Sequence, residues 1–316
     1  MTNSRNSIQF IGIGAHKSGT SWLFNRLRET PGYELPCFKE LHYFDRSERY
    51  PSPGTLAEAS LKKRWRDPEW RKRALRDCMN ALKAGEFRRF RWLLRWYFSA
   101  YNDQWYLSLF KGMKGISGEI TPAYCMLADE DIRLMKALCP GLIIVFMMRD
   151  PVERAWSHYR FDHAERIRNM GFDIGHYTHF LNSPAQELRG QYLNTLRNYL
   201  RVFPAHRIIA GFYDAIQDQP HQLLKELVLH TGGEPDAVGG DHQVKEKVNV
   251  SESFAMPKAA LELTLKKYRD MIRKLAVMFP GYCSQWAGKY GIDLPGSSGG
   301  HPRVKATCSL EGIEVF

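Results

Sequence analysis

The stretch Phe10-Ile-Gly-Ile-Gly-Ala-His-Lys-Ser-Gly-Thr-Ser21 decides the fold of this chain. A short apolar strand runs into a turn of small residues, and an amphipathic helix from about Trp22 follows at once. Such a turn directs unpaired backbone N–H groups and a partial positive charge toward one point, which suits a phosphate or a sulfate. Lys17 adds a full charge to that point, and hydroxyl donors come from Ser18, Thr20 and Ser21.

The order of residues in this turn differs from that of a common nucleotide-binding loop. A Walker A loop has lysine directly after its last glycine, followed by a hydroxyl that holds magnesium. Here Lys17 comes two residues before Gly19, and no hydroxyl follows a Gly-Lys pair. The pattern indicates a phosphate cradle distinct from an ordinary ATPase loop. A serine-rich helix cap on some other α/β fold is the alternative.

Length and composition are those of an ordinary globular protein. The 316 residues are 44% hydrophobic and 25% charged, enough for one large domain or two small ones. Residues 1–7 lack the apolar core of a signal peptide, and the longest apolar run, residues 142–148, is shorter than the ~20 residues of a membrane span. The 6 cysteines form no C-x-x-C pair, which argues against a zinc site and favours reduced thiols. We expect a cytoplasmic protein.

The positive charge is concentrated in one segment. Residues 61–96 contain thirteen Lys or Arg and four acids, so most of the formal net charge of +11 lies there. Residues 56–110 read as a helical basic insertion that could act as a lid over a ligand cleft. An anionic substrate or a peripheral anionic membrane surface would suit this charge. Solvated helices with inward tryptophans are an equal alternative, and nucleic acid is the least favoured partner.

Strands alternate with helices along the chain, which predicts an α/β fold. The predicted strands are 8–14, 115–121, 142–148 and 207–212; the predicted helices include 20–30, 130–138, 192–203, 221–231 and 259–279. This alternation is typical of a central parallel sheet flanked by helices. We assign residues 1–295 to a single domain and residues 296–316 to a C-terminal tail.

A second functional segment follows the apolar run 142–148. Asp150 is suited to the N-cap of a helix, Pro151 to its first position, and Glu153 to a capping box. Ligands of open parallel sheets bind at the carboxyl ends of the strands. Residues 14–21 and 149–157 each follow a strand, so we expect both to face one crevice.

Four motifs in order resemble the sulfotransferases that use 3′-phosphoadenosine-5′-phosphosulfate (PAPS). They are His16-Lys-Ser-Gly-Thr-Ser-Trp22, Lys39-Glu-Leu-His-Tyr-Phe-Asp45, Gly118-Glu-Ile-Thr-Pro-Ala-Tyr124 and Arg149-Asp-Pro-Val-Glu-Arg-Ala-Trp-Ser-His-Tyr159. The resemblance is strongest to the branch of the heparan sulfate sulfotransferases and their bacterial relatives, and it covers roughly residues 8–232. It implies the P-loop-like sulfotransferase fold, PAPS as donor, 3′,5′-diphosphoadenosine (PAP) as product, and no metal.

The resemblance also assigns the donor site. The 5′-phosphosulfate loop matches Lys17, Ser18, Gly19, Thr20, Ser21 and Trp22, and Lys17 would stabilise the charge that builds on the leaving phosphate. The 3′-phosphate site matches Arg149 and Ser157, since an arginine offers a planar fork to phosphate oxygens. Arg149 could instead only pair with Glu153, and Lys17 could be a surface lysine. Lys245 and Lys247 stand where the family has a later cofactor loop, although this chain lacks that loop's glycines.

The catalytic base of this branch matches Glu40, which would take the acceptor's proton. His42 would orient the acceptor or assist the base, or be merely structural, and Glu40 could instead only pair with Lys39 or Arg46. Heparan-type enzymes often carry lysine at the position of Ile120, so a polyanionic sugar is less assured as acceptor. Saccharide, lipid-linked and small-molecule acceptors all fit, through a hydroxyl or an amine. A P-loop kinase or NTPase and a basic binding protein remain the alternative functions.

Overall fold

A six-stranded sheet forms the centre of the protein in a computed structural model that describes residues 8–51, 58–240, 254–295, 304–313 and 315. Its strands are β1 (Phe10–Gly14), β2 (Tyr33–Glu34), β3 (Ile116–Ile120), β4 (Ile143–Met148), β5 (Ile208–Phe212) and β6 (Thr307–Ser309). Their spatial order is β2-β3-β1-β4-β5-β6, and all neighbours are parallel except β5 and β6. The predicted α/β class with a central parallel sheet is confirmed.

Helices connect the strands. They are α1 (Thr20–Glu29), α2 (Leu61–Arg64), α3 (Pro68–Lys83), α4 (Phe87–Phe98), α5 (Asp103–Ser108), α6 (Asp129–Leu138), α7 (Pro151–Met170), α8 (Ile174–Leu181), α9 (Pro184–Gly190), α10 (Tyr192–Leu200), α11 (Tyr213–Asp218), α12 (Pro220–His230), α13 (Lys258–Met278) and α14 (Tyr282–Lys289). Short 3₁₀ turns occupy Pro122–Met126, Ala205–Arg207 and Pro235–Ala237. The chain between β2 and β3 carries α2 to α5, where the sequence predicts a helical insertion.

The burial of β4 and α1 follows from the types of residue that they contain. β4 is a continuous apolar strand with five of its six residues buried, as expected for a parallel strand covered on both faces. In α1 the apolar side chains that recur at helical spacing are buried, namely Trp22, Leu23, Phe24 and Leu27. The helix ends at Thr30, ahead of the Pro31-Gly32 pair that interrupts it.

One local prediction at the start of α7 is wrong. Asp150 is the N-cap, and its Oδ1 accepts a hydrogen bond from the Val152 N–H at 2.9 Å. Glu153, however, does not close a capping box: its Oε1 accepts from Lys289 Nζ at 2.8 Å. A cation on α14, distant in sequence, therefore takes the carboxylate that the local pattern assigned to the helix end.

The sheet order brings four loops to one edge. β3, β1, β4 and β5 are parallel neighbours, so their carboxyl ends, Ile120, Gly14, Met148 and Phe212, lie side by side. Residues 14–21 and 149–157 therefore leave the sheet at the same edge, as the expectation that both face one crevice requires. This is the edge at which open α/β sheets bind ligands.

Further observations concern the cysteines, the helices and the C-terminal part of the chain. All six cysteines are free thiols. Among the described residues, none of the helices combines the length and the apolar character that crossing a bilayer demands. β6 lies in the segment assigned to the C-terminal tail and adds an antiparallel edge strand beside β5. Residues 244–249, which include Lys245 and Lys247, lie outside the described part of the chain, as does the glycine-rich stretch 296–300.

Candidate active site

The turn between β1 and α1 leaves the start of the helix open to an anion. Gly19, at the N-cap, has φ +80°, a left-handed conformation that favours glycine. A Cβ on Gly19 would lie 2.2 Å from Cδ1 of Ile216, so a side chain here would also have to displace that end of Ile216 on α11. Within the described residues, no side chain caps this end of α1, and its first turn carries no acid. Its first N–H groups are therefore suited to a bound phosphate.

Lys17 projects from this turn and also has a left-handed backbone, with φ +64°. Its Nζ lies 3.8 Å from the centre of the Phe161 ring. Burial, followed by the nearby charges of Arg149 and Arg160, lowers the pKa of Lys17 to about 8. Cations that gather around a lysine and lower its pKa are a sign of a site suited to an anion.

Arg149 lies against the same turn. Its Nη1 donates to the main-chain oxygen of Lys17 at 3.2 Å, and its guanidinium carbon lies 4.3 Å from the centre of the Tyr213 ring. The alternative partner, Glu153, is 3.9 Å from Nη2 and is engaged more closely by Lys289. The structure thus brings Lys17 and Arg149 together.

The other residues predicted at the donor site are partly enclosed. Ser18, Thr20, Trp22 and Ser157 are buried, and Ser21 is half-buried. Ser157 lies six residues into α7 from Pro151, which corresponds to about 9 Å along the helix axis. It is therefore more than one turn of helix beyond the end of β4.

Arg149 also lines a cavity of about 310 Å³. Its lining consists of Arg149, Asp150, Glu153, Tyr213, Asp214, Gln217, Asp218, Gln285, Trp286 and Lys289. Two carboxylates of this lining are engaged: Asp150 accepts from Tyr290 Oη at 2.5 Å and Asp214 from Trp286 Nε1 at 3.2 Å. Burial raises the pKa of both carboxyls.

The second predicted motif, residues 39–45, is fixed to the end of β3. The Glu40 N–H donates to the Ile120 carbonyl at 3.1 Å, and the Leu41 N–H donates to Thr121 Oγ1 at 3.0 Å. Thr121 in turn donates to the buried carboxyl of Glu119 at 2.7 Å. Burial raises the pKa of Glu119 to about 7, although hydroxyl donors including Thr121 oppose that shift.

Glu40 and His42 form an ionic chain within this loop. Both residues have left-handed backbones, with φ +66° and +49°. His42 Nδ1 is 2.8 Å from Asp45 Oδ2, and its Nε2 is 3.5 Å from Glu40 Oε2. Lys39 Nζ bonds to the other oxygen of Glu40. Together with Lys17, these two are the described non-glycine residues with positive φ, and such conformations concentrate at functional sites.

The ionic chain sets the charge of its members. Burial alone would raise the pKa of Glu40, but the His42 hydrogen bond and the Lys39 charge outweigh it and lower the pKa to about 2. Burial likewise lowers the pKa of His42, but Asp45 and Glu40 overcome it and raise the pKa to about 9. Near neutral pH, Glu40 is thus a carboxylate held between two cations.

Aromatic residues of the insertion support the loop from behind. Phe38 meets Trp92 and Trp96 of α4 edge-on, with ring centroids 5.3 and 5.4 Å apart. Tyr43 stacks on Tyr106 at 4.7 Å. The insertion is therefore part of the structure that positions Glu40, through contacts more than fifty residues apart in sequence.

Comparisons with known proteins identify the family of this chain. The sequence profile described as "Sulfotransferase family" matches residues 9–236. The chain belongs to the sulfotransferase family. No curated protein matches the sequence. Among solved structures, a sulfotransferase from Alicyclobacillus acidocaldarius superposes with a TM-score of 0.55 at 19% identity, covering 91% of this chain and 97% of that chain. That likeness shows a shared fold.

Two further solved sulfotransferase domains have lower TM-scores. One, from the curacin biosynthetic pathway, has a TM-score of 0.48 at 15% identity, covering 92% of this chain and 100% of that chain. The other, from the olefin synthase of Synechococcus PCC 7002, has a TM-score of 0.47 at 18% identity, covering 93% and 98%.

Sequence reasoning missed several residues of this candidate site. Arg160, Phe161 and Tyr213 surround Lys17 and Arg149, and His16 lies beside the Glu40 loop, where burial and then the Arg189 charge lower its pKa well below the usual value. The sequence could have indicated Arg160, because it follows Ser157 by three residues on one helix and therefore lies on the same face. Tyr213 directly follows β5 at the same sheet edge, and only the strand order reveals its proximity to Arg149.

Proposed function

We propose that this sulfotransferase moves a sulfuryl group from PAPS to a hydroxyl or an amine, with Glu40 as the base. The observation that carries the proposal is the convergence of Lys17, Arg149 and Arg160 over the uncapped start of α1. Cations placed so close repel one another, and a doubly phosphorylated nucleotide would remove that repulsion.

In the proposed reaction Glu40 accepts the proton from the acceptor oxygen or nitrogen. The acceptor atom then bonds to sulfur, while the bond between sulfur and the bridging phosphate oxygen breaks. The negative charge left on that oxygen of PAP is stabilised by Lys17 and by the N–H groups at the start of α1. Catalysis consists mainly of positioning and electrostatic stabilisation.

Glu40 must first become available as a base. Its Oε1 is occupied by Lys39, and its Oε2 faces His42. An acceptor hydroxyl that displaces Lys39 would remove one of the interactions that hold the pKa of Glu40 near 2 and would make it a stronger base. We assign His42 a positioning role, because its ring lies between Asp45 and Glu40.

The donor's 3′-phosphate is assigned to Arg149 with Ser157, and its 5′-phosphate to Lys17 with Ser18, Gly19, Thr20, Ser21 and Trp22. Lys245 and Lys247 are retained as further donor contacts on the family resemblance alone. The acceptor is assigned only by class, as a saccharide, a lipid-linked molecule or a small molecule.

The test is to incubate the protein with PAPS labelled at sulfur and a panel drawn from these three acceptor classes. We expect labelled product without added magnesium. Parallel reactions with labelled ATP and magnesium test the kinase alternative. Transfer from ATP, with none from PAPS to any acceptor, would overturn the proposal.

A further inference from the structure

The outer helix of the insertion carries an exposed apolar stripe. Leu75, Met79 and Leu82 of α3 are spaced four and three residues apart, so they lie on one face of the helix. They are 56%, 50% and 41% exposed. The stripe leads to Phe87, which is 65% exposed and begins α4. We call residues 68–91 the basic hairpin. Single exposed apolar residues need no explanation, but an ordered row of this kind marks a contact surface.

The charge around the stripe is strongly positive. The basic hairpin contains eight Lys or Arg and three acids. Arg71, Lys72, Arg76 and Lys83 flank the stripe at helical spacing. Among the described residues, no carboxylate makes an ion pair with Lys83 or Arg91. Lys72 pairs with Glu69 and Arg76 with Asp77, whereas Lys83 has no such partner among the described residues, so the stripe is bordered by more cations than acids.

A groove at the turn of the basic hairpin combines an exposed aromatic ring with arginines, of which Arg88 pairs with Glu34 and Arg89 with Glu86. It has a volume of about 760 Å³, and its lining is Arg28, Cys37, Gly85, Glu86, Phe87, Arg88 and Arg89. Arg28 reaches it from the last turn of α1, so part of the positive charge comes from the main domain. The exposed ring of Phe87 stands beside these three guanidinium groups.

We propose that the basic hairpin docks on an anionic lipid bilayer, with Leu75, Met79, Leu82 and Phe87 in the interface and the surrounding cations on lipid phosphates. An apolar stripe bordered by Lys and Arg is the pattern of helices that lie in the plane of a membrane surface. Each cation near the surface adds electrostatic attraction that falls within a Debye length. Nucleic acid is the weaker match, because its phosphates bind the cations but leave the exposed Leu and Met side chains in water.

The groove of the basic hairpin is connected to the loop of the proposed base. Cys37, which lines the groove, is three residues before Glu40, and Phe38 packs on Trp92 and Trp96 of α4. Lipid bound at this groove would thus contact the segment that leads to Glu40. Membrane binding itself needs no sulfuryl transfer, so it can be tested independently of the proposed reaction.

The experiment is sedimentation of the full-length protein with vesicles of phosphatidylcholine alone or mixed with phosphatidylglycerol. We expect binding to the mixed vesicles and little to the neutral ones. Phe87→Ser and Met79→Ser should each lower the partition coefficient, Phe87→Ser by about tenfold. Lys83→Glu should lower it severalfold, and ~1 M salt, where the Debye length is about 3 Å, should abolish it.

A matched control is Leu229→Ser, because Leu229 is 61% exposed but lies on α12. It should leave vesicle binding unchanged, and all four variants should retain the thermal unfolding midpoint of the wild type. Equal binding to neutral vesicles, or no binding to anionic ones, would overturn the proposal. So would tighter binding to duplex DNA that Phe87→Ser leaves intact, or a dimer that the same variants dissociate in the absence of lipid.

Discussion

The two loops that form the candidate active site are built in different ways. The turn that carries Lys17 is local: a strand, a short loop and a helix start lie within twelve residues, and Gly19 provides the left-handed backbone at the helix N-cap. The loop that carries Glu40 depends on distant partners. Thr121 and Tyr124 bind its main chain, and Trp92, Trp96 and Tyr106 pack behind it.

This difference separates the two proposed tasks of the enzyme, which are donor binding and removal of the acceptor's proton. The local turn can hold the donor through main-chain N–H groups whatever the insertion contains. The Glu40 loop, by contrast, ties the base to the insertion, so changes there can alter the acceptor side without rebuilding the donor site. Perturbing each loop in turn should therefore affect different measured quantities.

Lys17→Ala should have the largest effect, because it removes the cation expected to face the leaving phosphate. We expect kcat to fall by about 10³-fold and PAP to bind more weakly. Steady-state kinetics and titration calorimetry measure the two quantities. Lys111→Ala, an exposed lysine after α5, is the control. Unchanged PAP affinity in Lys17→Ala would remove Lys17 from the donor site.

Glu40→Gln should lower kcat by about 10²-fold or more while PAP affinity stays within error. The amide keeps the shape of the side chain but cannot take the acceptor's proton. Glu48→Gln, at an exposed position of the same segment, is the control. Near-normal turnover of Glu40→Gln on the true acceptor would show that the base lies elsewhere.

Arg149→Ala should weaken PAP binding by about 30-fold, since hydrogen bonds to a charged phosphate are lost. Binding of adenosine 5′-phosphosulfate, which lacks the 3′-phosphate, should change far less. Calorimetric titration of both ligands into the variant and the wild type gives the comparison. An equal loss for the two ligands would contradict the 3′-site assignment.

Trp96→Ala should distinguish the roles of the two loops most clearly. Loss of the ring behind Phe38 leaves a cavity that costs about 3 kcal/mol of unfolding free energy, and the loosened Glu40 loop should lower kcat by about tenfold. PAP affinity should be preserved, because the local turn is untouched. Trp65→Ala, which removes a ring packed on Phe98, is the control. Equal losses of kcat in both variants would show that Trp96 has no specific role in supporting the Glu40 loop.

The pH dependence of PAP binding should give the smallest effect. In the free protein Lys17 loses its proton as the pH rises through about 8, and a bound phosphate would favour the protonated form. Affinity should be full below about pH 7 and fall by about tenfold between pH 7 and pH 9. Calorimetry across this range measures it. Lys17→Arg, whose guanidinium stays charged, should abolish the decline.

The same contrast explains what the sequence could predict. Apolar periodicity and turn residues were sufficient to predict β1, α1 and β4. The alternation of strands with helices was sufficient to predict the parallel sheet. The capping box at Glu153 failed because Lys289, distant in sequence, competes for the carboxylate. The ionic chain from Lys39 through Glu40 and His42 to Asp45 was visible as a motif, but its geometry depends on Thr121 and the insertion aromatics. Tyr213 near Arg149 and strand β6 depend on tertiary contacts that no local pattern reveals.

The most direct measurement is a calorimetric titration of the wild-type protein with PAP, with AMP, and with ATP plus magnesium. If Lys17 and Arg149 form one site for a nucleotide phosphorylated at both ends, PAP should bind tightest and need no metal. AMP, which lacks the 3′-phosphate, should bind at least tenfold more weakly. Equal affinity for PAP and AMP, or tighter binding of ATP with magnesium, would contradict the account.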